Sequence, residues 1–356
     1  MTVTTSSPLR TLLASRRPGS SVAEWLRRPR PPLAPPRWLT IVLSVVAAVA
    51  LIAVPLLNPS YINLTVTLVM IWTIVGLGLN LLIGFGGQVS LGHSAFFAIG
   101  AYTVAVAGES GLPHPFTLVA AGVLPFVVGY LIGLPTLRLK GLQLGLVTLA
   151  MAMATPAVIR ALEPWTHGSR GIAIEGDPPA WVPLAHDQWV YYLALIAAAL
   201  AYLVTRRLAR GRLGRSFVAV RDAELVAETL GVDVWQTKTR LFAASAVYAG
   251  VAGGLYAMLL EFIGPENFGL TLSISFVTLI VVGGLATVPG AVLGALFVQY
   301  VPTFTSSISP AATGAVYGAV LIVFAFFLPY GLVGLLRAAL APVVRRIPGS
   351  HPSGTR

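Results

Sequence analysis

The sequence predicts an all-α polytopic membrane protein with about ten transmembrane helices, within a range of about eight to ten. Hydrophobic residues make up 56% of the 356 residues and charged residues only 10%, whereas soluble domains carry about 25% charged residues. Several apolar runs reach about 18 residues or more, the length that a helix needs to cross a bilayer. Segments of about ten residues with alternating polarity, typical of a transmembrane β-barrel, do not occur.

The net charge of +11 comes from basic residues that gather in four parts of the chain. These are the tail before Trp38, the pair Arg138 and Lys140, the stretch Arg206–Arg240 and the residues after Tyr330. Because loops rich in Lys and Arg stay in the cytoplasm, both termini are predicted to be cytoplasmic. The basicity therefore reports topology and contact with anionic membrane lipid, and no nucleic-acid partner is expected.

The predicted elements begin with residues 1–37, which are rich in Arg, Pro and Ser and are expected to form a disordered basic cytoplasmic tail. The first span is Trp38–Leu57. It is longer than the core of most signal peptides and follows an unusually long charged region. An uncleaved helix is therefore favoured over a signal peptide cleaved near Ala50.

Turn residues and polar loops separate the later spans. A glycine-rich break, Gly84–Ser94, leads into a third span that ends near Gly108. The other spans are predicted at Ile62–Ile83, Pro115–Leu137, Gly141–Ile159, Gln188–Thr205, Leu241–Leu260 and Ala311–Leu328. The membrane domain is then 38–336, with a cytoplasmic loop at 206–240 and a cytoplasmic tail at 337–356.

The apolar stretch 271–304 decides the number of spans. It is interrupted at Val282–Pro289, and two crossings hinged there leave the Arg-containing tail in the cytoplasm and give ten spans in total. Each arm is only about 15 residues long, which is short for a span, so a re-entrant hairpin is the alternative.

Small residues at spacings of three and four predict close helix packing, because backbone approach provides much of the attraction between helices in lipid. The seventh span has Ala243, Ala246, Gly250, Gly253 and Ala257, and the third has Ser94, Ala98, Ala101 and Ala105. Shorter and weaker pairs are Gly129/Gly133, Gly290/Gly294 and Gly314/Gly318.

The stretch Arg206–Arg240 contains one compact helical pattern, over Ala223–Leu230. Asp222 is predicted as its N-cap, Glu224 lies in its first turn and Gly231 is placed to end it. Its narrow apolar face consists of Ala223, Val226, Ala227 and Leu230. Such a helix could rest on lipid headgroups or enter a groove on a cytosolic partner, and periodicity alone leaves both readings open.

The glycine-rich break places polar groups at membrane depth. Such side chains usually face the interior of a bundle, so they are candidates for a translocation path. Interhelical hydrogen bonds are the alternative. The candidates are Asn80, Gln88, Ser90, His93 and Ser94.

The residue inventory argues against an enzyme. The chain has no cysteine, which excludes disulfides, thiolate metal sites and a cysteine nucleophile. Its His residues are scattered, without an HExxH motif or a P-loop, so neither a metal site nor a nucleotide site is predicted. No ionisable side chain stands in the middle of a span, which argues against a carrier coupled to protons or sodium. Energy for transport would then come from another protein.

Three segments, Gly76–Ala105, Arg221–Ala257 and Gly283–Val298, resemble the LivM-type permeases of branched-chain amino acid ABC importers. The resemblance runs from about Val54 to Leu336. It implies a permease like those of type II ABC importers, located in the bacterial plasma (inner) membrane. The external loop Trp165–Ile172 looks like a variant of a family segment, with His167 where glycine is usual and Arg170 where aspartate is common. Its candidate site residues are Thr166, Gly168, Ser169 and Gly171.

The resemblance also implies partners: a LivH-type permease, two cytosolic ATP-binding subunits and an extracytoplasmic solute-binding protein. ATP and magnesium would bind those ATP-binding subunits, and no cofactor is expected on this chain. The family's coupling segment would comprise Arg221, Asp222, Ala223, Glu224, Ala227, Leu230 and Gly231. Related permeases also carry urea and short amides, so these solutes are the alternative to Leu, Ile and Val.

Overall fold

A computed structural model describes residues 37–136, 141–174, 182–308 and 331–344, together with residues 178, 318, 319 and 322. Its helices are α1 (Arg37–Leu57), α2 (Ser60–Leu79), α3 (His93–Glu109), α4 (His114–Thr136), α5 (Leu142–Ala161), α6 (Glu163–Thr166), α7 (His186–Arg210), α8 (Arg212–Asp222), α9 (Glu224–Thr229), α10 (Val234–Leu260), α11 (Leu270–Gly283), α12 (Val288–Ile308) and α13 (Gly331–Val344). A π-helical turn, Asn80–Phe85, continues α2, and 3₁₀ turns lie at Gly168–Arg170 and Pro265–Phe268. Two short strands, β1 (Ile172–Ala173) and β2 (Phe262–Ile263), pair antiparallel.

The chain is an all-α polytopic membrane protein, as the composition predicts. Among the described residues, six helical segments are long and apolar enough to cross a membrane. They are Ser60–Phe85, His114–Leu134, Gln143–Ala161, His186–Arg210, Val234–Leu260 and Pro265–Gly283. The total of ten stays a prediction, and the predicted N-terminal tail and most of the span Ala311–Leu328 lie outside the described residues.

Helix α10 stands at the centre of the bundle, and its small residues allow α3 and α4 to approach it closely. A Cβ atom on Gly253 would clash with the carbonyl of Phe97 on α3. One on Gly250 would clash with the carbonyl of Ala121 on α4. The predicted packing role of the α10 stripe is therefore confirmed, since here backbone lies directly against backbone.

Helix α1 contacts α7 through carbonyls near a proline. Pro55 lacks an N–H group and so cannot donate to the carbonyl of Leu51, one turn earlier. The hydroxyl of Tyr191, which is fully buried, donates to that carbonyl instead, at 2.7 Å. Tyr192 donates to the carbonyl of Ile52 at 3.1 Å. Side chains of α7 thus satisfy backbone groups that lipid could not.

The stretch 271–304 forms the hairpin α11–α12, with its break at residues 284–287. The two arms touch closely, because a Cβ on Gly294 would clash with the carbonyl of Leu279. Asn80 holds the turn: its Nδ2 donates to the Thr287 carbonyl at 2.7 Å, and Ala286 N donates to its Oδ1 at 2.8 Å. The choice between two crossings and a re-entrant hairpin stays a prediction.

Several predicted boundaries differ from the structure. Within the predicted cytoplasmic loop 206–240, α7 continues to Arg210, and α10 begins at Val234, where Asp233 caps it by accepting from Gln236 N at 2.9 Å. Helix α13 runs through position 336, and the end of the membrane domain at this position stays a prediction. Helices continue past the apolar runs because capping groups, not the membrane limits, decide where they stop.

Candidate functional site

The middle of the basic stretch Arg206–Arg240 folds into two consecutive helices, α8 and α9, joined at Ala223, whose backbone is extended with φ −156° and ψ 84°. The prediction that Asp222 is the N-cap of α9 is wrong. Asp222 is the last residue of α8, and its carboxylate accepts from Nε of the adjacent Arg221 at 2.8 Å. Ala223 occupies the N-cap position instead and offers no side-chain oxygen. Glu224 does lie in the first turn of α9, as predicted.

The C-terminal end of α9 follows the sequence signal. Gly231 has a left-handed backbone, with φ 82°. Its N–H donates to the Glu228 carbonyl at 3.0 Å, and the N–H of Val232 donates to the Ala227 carbonyl at 3.0 Å. These two bonds are the Schellman motif, in which glycine at the C′ position ends the helix.

The apolar residues of α9 divide between two faces. Ala227 is only 1% exposed and packs with Val220 and Val234 in a small cluster. Leu225 and Leu230, by contrast, are 78% and 76% exposed. The sequence predicts that Ala227 and Leu230 lie on the same exposed face of α9. This prediction is wrong, because other residues of this chain cover Ala227.

The outward surface of α9 consists of Leu225, Val226 and Leu230, all exposed. Sequence reasoning missed Leu225, since the orientation of α9 depends on how Ala227 docks onto α8 and α10. Ala223 is exposed at the start of this surface.

The opposite side of α8–α9 faces the glycine-rich break. Nη1 of Arg221 donates to the Gly84 carbonyl at 2.6 Å. Nζ of Lys238 lies 2.9 Å from a carboxylate oxygen of Glu224, and the Lys238 carbonyl accepts from Gln88 at 3.5 Å. A polar cavity of about 130 Å³ lies between these groups. Ligand pockets usually have a volume of about 300 Å³ or more, so this cavity is too small for one. The region is instead described by the contacts between α8–α9 and the glycine-rich break.

The segment from Gly86 to Gly92 runs without regular structure into the bundle along α10. Gln88 contacts Lys238, whereas His93 contacts Ser245, two turns along α10. At 1.5 Å per residue, the segment descends by about 10 Å. Irregular backbone is tolerated at such depth only where protein or a polar cavity covers it.

At the inner end of this segment, His93 is 1% exposed and lies in a chain of hydrogen bonds with a defined direction. Ser245 Oγ donates to the Phe242 carbonyl at 2.7 Å, so it accepts from Nε2 of His93 at 3.1 Å. Nδ1 then accepts from Ser90 Oγ at 3.0 Å. Both ring nitrogens are satisfied by a neutral imidazole protonated on Nε2.

Neighbouring candidates for the path are also engaged between helices. Ser94 N donates to Ser273 Oγ on α11 at 3.1 Å, and Ser273 Oγ donates to Ser94 Oγ at 2.8 Å. Leu91 N donates to Thr148 Oγ1 on α5 at 3.0 Å. These contacts, with those of Asn80, are the interhelical alternative that the sequence left open. A role in the path stays a prediction.

The external loop of sequence candidates connects α5 to β1. Thr166 is buried and donates to the Ile159 carbonyl at 2.6 Å, so it closes the end of α5. Ser169 is exposed, and Gly168 and Gly171 have positive φ angles of 58° and 72°. His167 also has a left-handed backbone, with φ 55°, which explains why glycine suits this position.

A long apolar groove of about 730 Å³ lies between α3, α4 and α5. No charged side chain lines it; Ile99, Leu124 and Val158 are typical of its walls. Such a groove can hold hydrocarbon but offers no partner for an ammonium or a carboxylate. In the part of the chain that the structure describes, no group of three or more His, Cys, Asp or Glu could hold a metal ion.

Comparison with known proteins agrees with this architecture. The chain is 32% identical to the high-affinity branched-chain amino acid transport system permease protein LivM of Escherichia coli K12 over 255 residues, 65% of this chain and 60% of LivM. It therefore matches less than two thirds of that relative. It is 24% identical to LivH of Salmonella typhimurium, over 76% of this chain and 93% of LivH.

No solved structure is significantly similar. The profile of the family described as branched-chain amino acid transport system / permease component matches residues 61–325, which include α2 to α12 and the site around α9. The chain belongs to this family of permease components.

Proposed function

We propose that the chain is a permease subunit of an ABC importer that moves branched-chain amino acids into the cytosol across the bacterial inner membrane. The observation that carries this proposal, beyond the family itself, is the surface of α9. Two large leucines, Leu225 and Leu230, are exposed on or next to a short helix. This helix lies within the basic stretch Arg206–Arg240, whose charge predicts a cytoplasmic position. Exposed apolar side chains clustered on a helix are typical of a partner interface.

The partners follow from the same reasoning. The chain resembles both LivM and LivH, two related permease proteins, so a LivH-type permease is proposed as the second half of the pore. Two cytosolic ATP-binding subunits would bind ATP and magnesium and dock on α9, and an extracytoplasmic binding protein would deliver the solute. The present chain then hydrolyses nothing and holds no cofactor. Its task is to convert closure of the ATP-binding subunits into movement of its helices.

The coupling segment proposed from the sequence, Arg221–Gly231, keeps its place but changes its internal assignment. Leu225 and Leu230 point outward and are the residues proposed to enter a groove of the ATP-binding subunit. Ala227 and Gly231 instead shape and end α9. The groove between α3, α4 and α5 has no charged lining, so it is suited to aliphatic side chains. Because the solute would pass between two permeases, the partner permease would supply the groups that bind the charged ends of an amino acid.

The test is copurification from cells that express the complete complex. Leu225→Ser combined with Leu230→Ser should release the ATP-binding subunits, while the chain remains in the membrane in normal amount. Leu213→Ser is the matched control, because Leu213 is an exposed leucine on α8. Retention of the ATP-binding subunits by the double variant would refute the interface.

The solute is tested separately. The reconstituted complex should hydrolyse ATP faster when the binding protein is loaded with Leu, Ile or Val. If only urea or a short amide stimulates ATP hydrolysis, that compound is the solute. This alternative is included because His167 and Arg170 differ from the residues usual in the family segment. If no ATP-binding subunit copurifies with the unaltered chain and uptake follows an ion gradient, the ABC importer proposal fails.

A further inference from the structure

Arg221 lies in the last turn of α8, and its side chain is about one third exposed, at 33%. Its Nη1 donates to the carbonyl of Gly84, in the π-helical turn Asn80–Phe85 that continues α2. Carbonyls in the last turn of a helix lack intrahelical donors, and a cation near them is also favoured by the helix dipole. Arg221 therefore caps the end of α2 from another element, 137 residues away in sequence.

The aliphatic part of Arg221 packs on the same segment. Gly87 has a φ of 67°, and a Cβ there would come within 2.5 Å of Cγ of Arg221. The bare backbone of the glycine-rich break thus lies directly against the arginine stem. A movement of α8 that carries the stem of Arg221 with it would therefore press directly on this backbone.

A second contact runs in parallel. Glu224, the first residue of α9, pairs with Lys238, and the Lys238 carbonyl accepts from Gln88. The cluster of Val220, Ala227 and Val234 joins α8 to α9, so a force on α9 reaches Arg221. Beyond Gln88 the irregular segment descends to His93, deep in the bundle.

We propose that Arg221 is a positioning residue that transmits movement of α8–α9 to the Gly84–Gly92 segment, rather than a contact with the ATP-binding subunit. This inference rests on the proposed function, since it assumes that α9 is the docking helix. It reassigns one member of the coupling segment from the outer interface to an internal contact. The ATP-binding subunits would pull on Leu225 and Leu230, and Arg221 would shift the end of α2 and the broken backbone after it.

The experiment uses the whole complex in proteoliposomes and compares Arg221→Gln with two controls. Arg215→Gln removes the same charge from an exposed position of the same helix. Arg212→Gln does the same at a second exposed arginine of α8, also outside the coupling segment. For each variant three quantities are measured: ATP-binding subunits retained, ATP hydrolysed with and without loaded binding protein, and solute taken up per ATP.

We expect Arg221→Gln to retain the ATP-binding subunits and basal hydrolysis, and to take up about tenfold less solute per ATP, the loss that corresponds to one charge-assisted hydrogen bond. Both controls should stay within about twofold of the unaltered complex, the scatter expected of exposed charges. Loss of the ATP-binding subunits in Arg221→Gln would overturn the inference, because Arg221 would then be a docking residue. Unaltered uptake per ATP, or an equal loss in Arg215→Gln, would overturn it as well.

Arg221→Lys serves if Arg221→Gln does not accumulate in the membrane. Lysine keeps one charged donor and the aliphatic stem that packs on Gly87, but loses the planar fork, so uptake per ATP should fall by about threefold, less than the full loss of the bond. Normal coupling in a folded Arg221→Lys complex would refute the role of the guanidinium. Failure of the proposed function would appear differently, as an unaltered complex that never contains ATP-binding subunits.

Discussion

The hydrogen bond between Tyr191 and Leu51 gives a quantitative prediction. Tyr191 is fully buried and its hydroxyl bonds at 2.7 Å to a carbonyl that Pro55 leaves without its helical donor. Tyr191→Phe would leave that carbonyl unsatisfied where no water can replace the hydroxyl. The expected loss is about 2 kcal/mol of the free energy of unfolding, within the range of about 1–3 kcal/mol for a buried unsatisfied group.

A double-mutant cycle isolates this contribution. In a Pro55→Ala background, the new amide N–H at position 55 can donate to Leu51, so Tyr191→Phe should then cost only about 0.5 kcal/mol, which gives a coupling of about 1.5 kcal/mol. The measurement is reversible unfolding of the purified chain in mixed detergent micelles. Tyr192→Phe is the control, because its bond to Ile52 is longer, at 3.1 Å, and more exposed. Costs that add within about 0.5 kcal/mol would refute the reasoning.

Two further predictions concern glycine geometry and use the same unfolding measurement. Gly253→Ala should destabilise the chain by about 3 kcal/mol, because its methyl group would meet the Phe97 carbonyl. Gly108→Ala is the control and should be neutral or stabilising, since a Cβ there has no atom within 4 Å. Equal effects of the two substitutions would contradict the packing argument. His167→Gly should stabilise the chain by about 0.5–1 kcal/mol by relieving a left-handed residue. The lost contact with Glu109, at 3.8 Å and exposed, contributes little, and an unchanged or lower stability would count against strain at this position.

The sequence predicts those features that depend on neighbouring residues. The stripe through Gly250 and Gly253 repeats at helical spacing, so its packing face can be read from the chain. The end of α9 follows from Gly231, since a Schellman motif needs only the residues around it. The location of the coupling segment at Arg221–Gly231 stays a prediction from the family resemblance.

The features that could not be predicted depend on distant contacts. Aspartate is a residue type that favours the N-cap position, so Asp222 is predicted to begin α9. Instead α8 continues through Asp222, because the buried side chains of Phe217 and Val220 hold that helix against the rest of the protein. The exposed side of α9 depends on where Ala227 packs, which local periodicity does not specify. The bond from His93 to Ser245 spans 152 residues. No pattern within either segment indicates it.

The backbone contacts of α10 have a mechanical consequence. Where Gly100, Gly250 and Gly253 meet carbonyls of the facing helices, no side chain lies between the backbones, and so no rotamer change can take up a displacement. Helices α3, α4 and α10 are therefore expected to move together, as a single rigid body, in any change of conformation. Deformation is then expected in joints without regular structure, such as the glycine-rich one that follows α2.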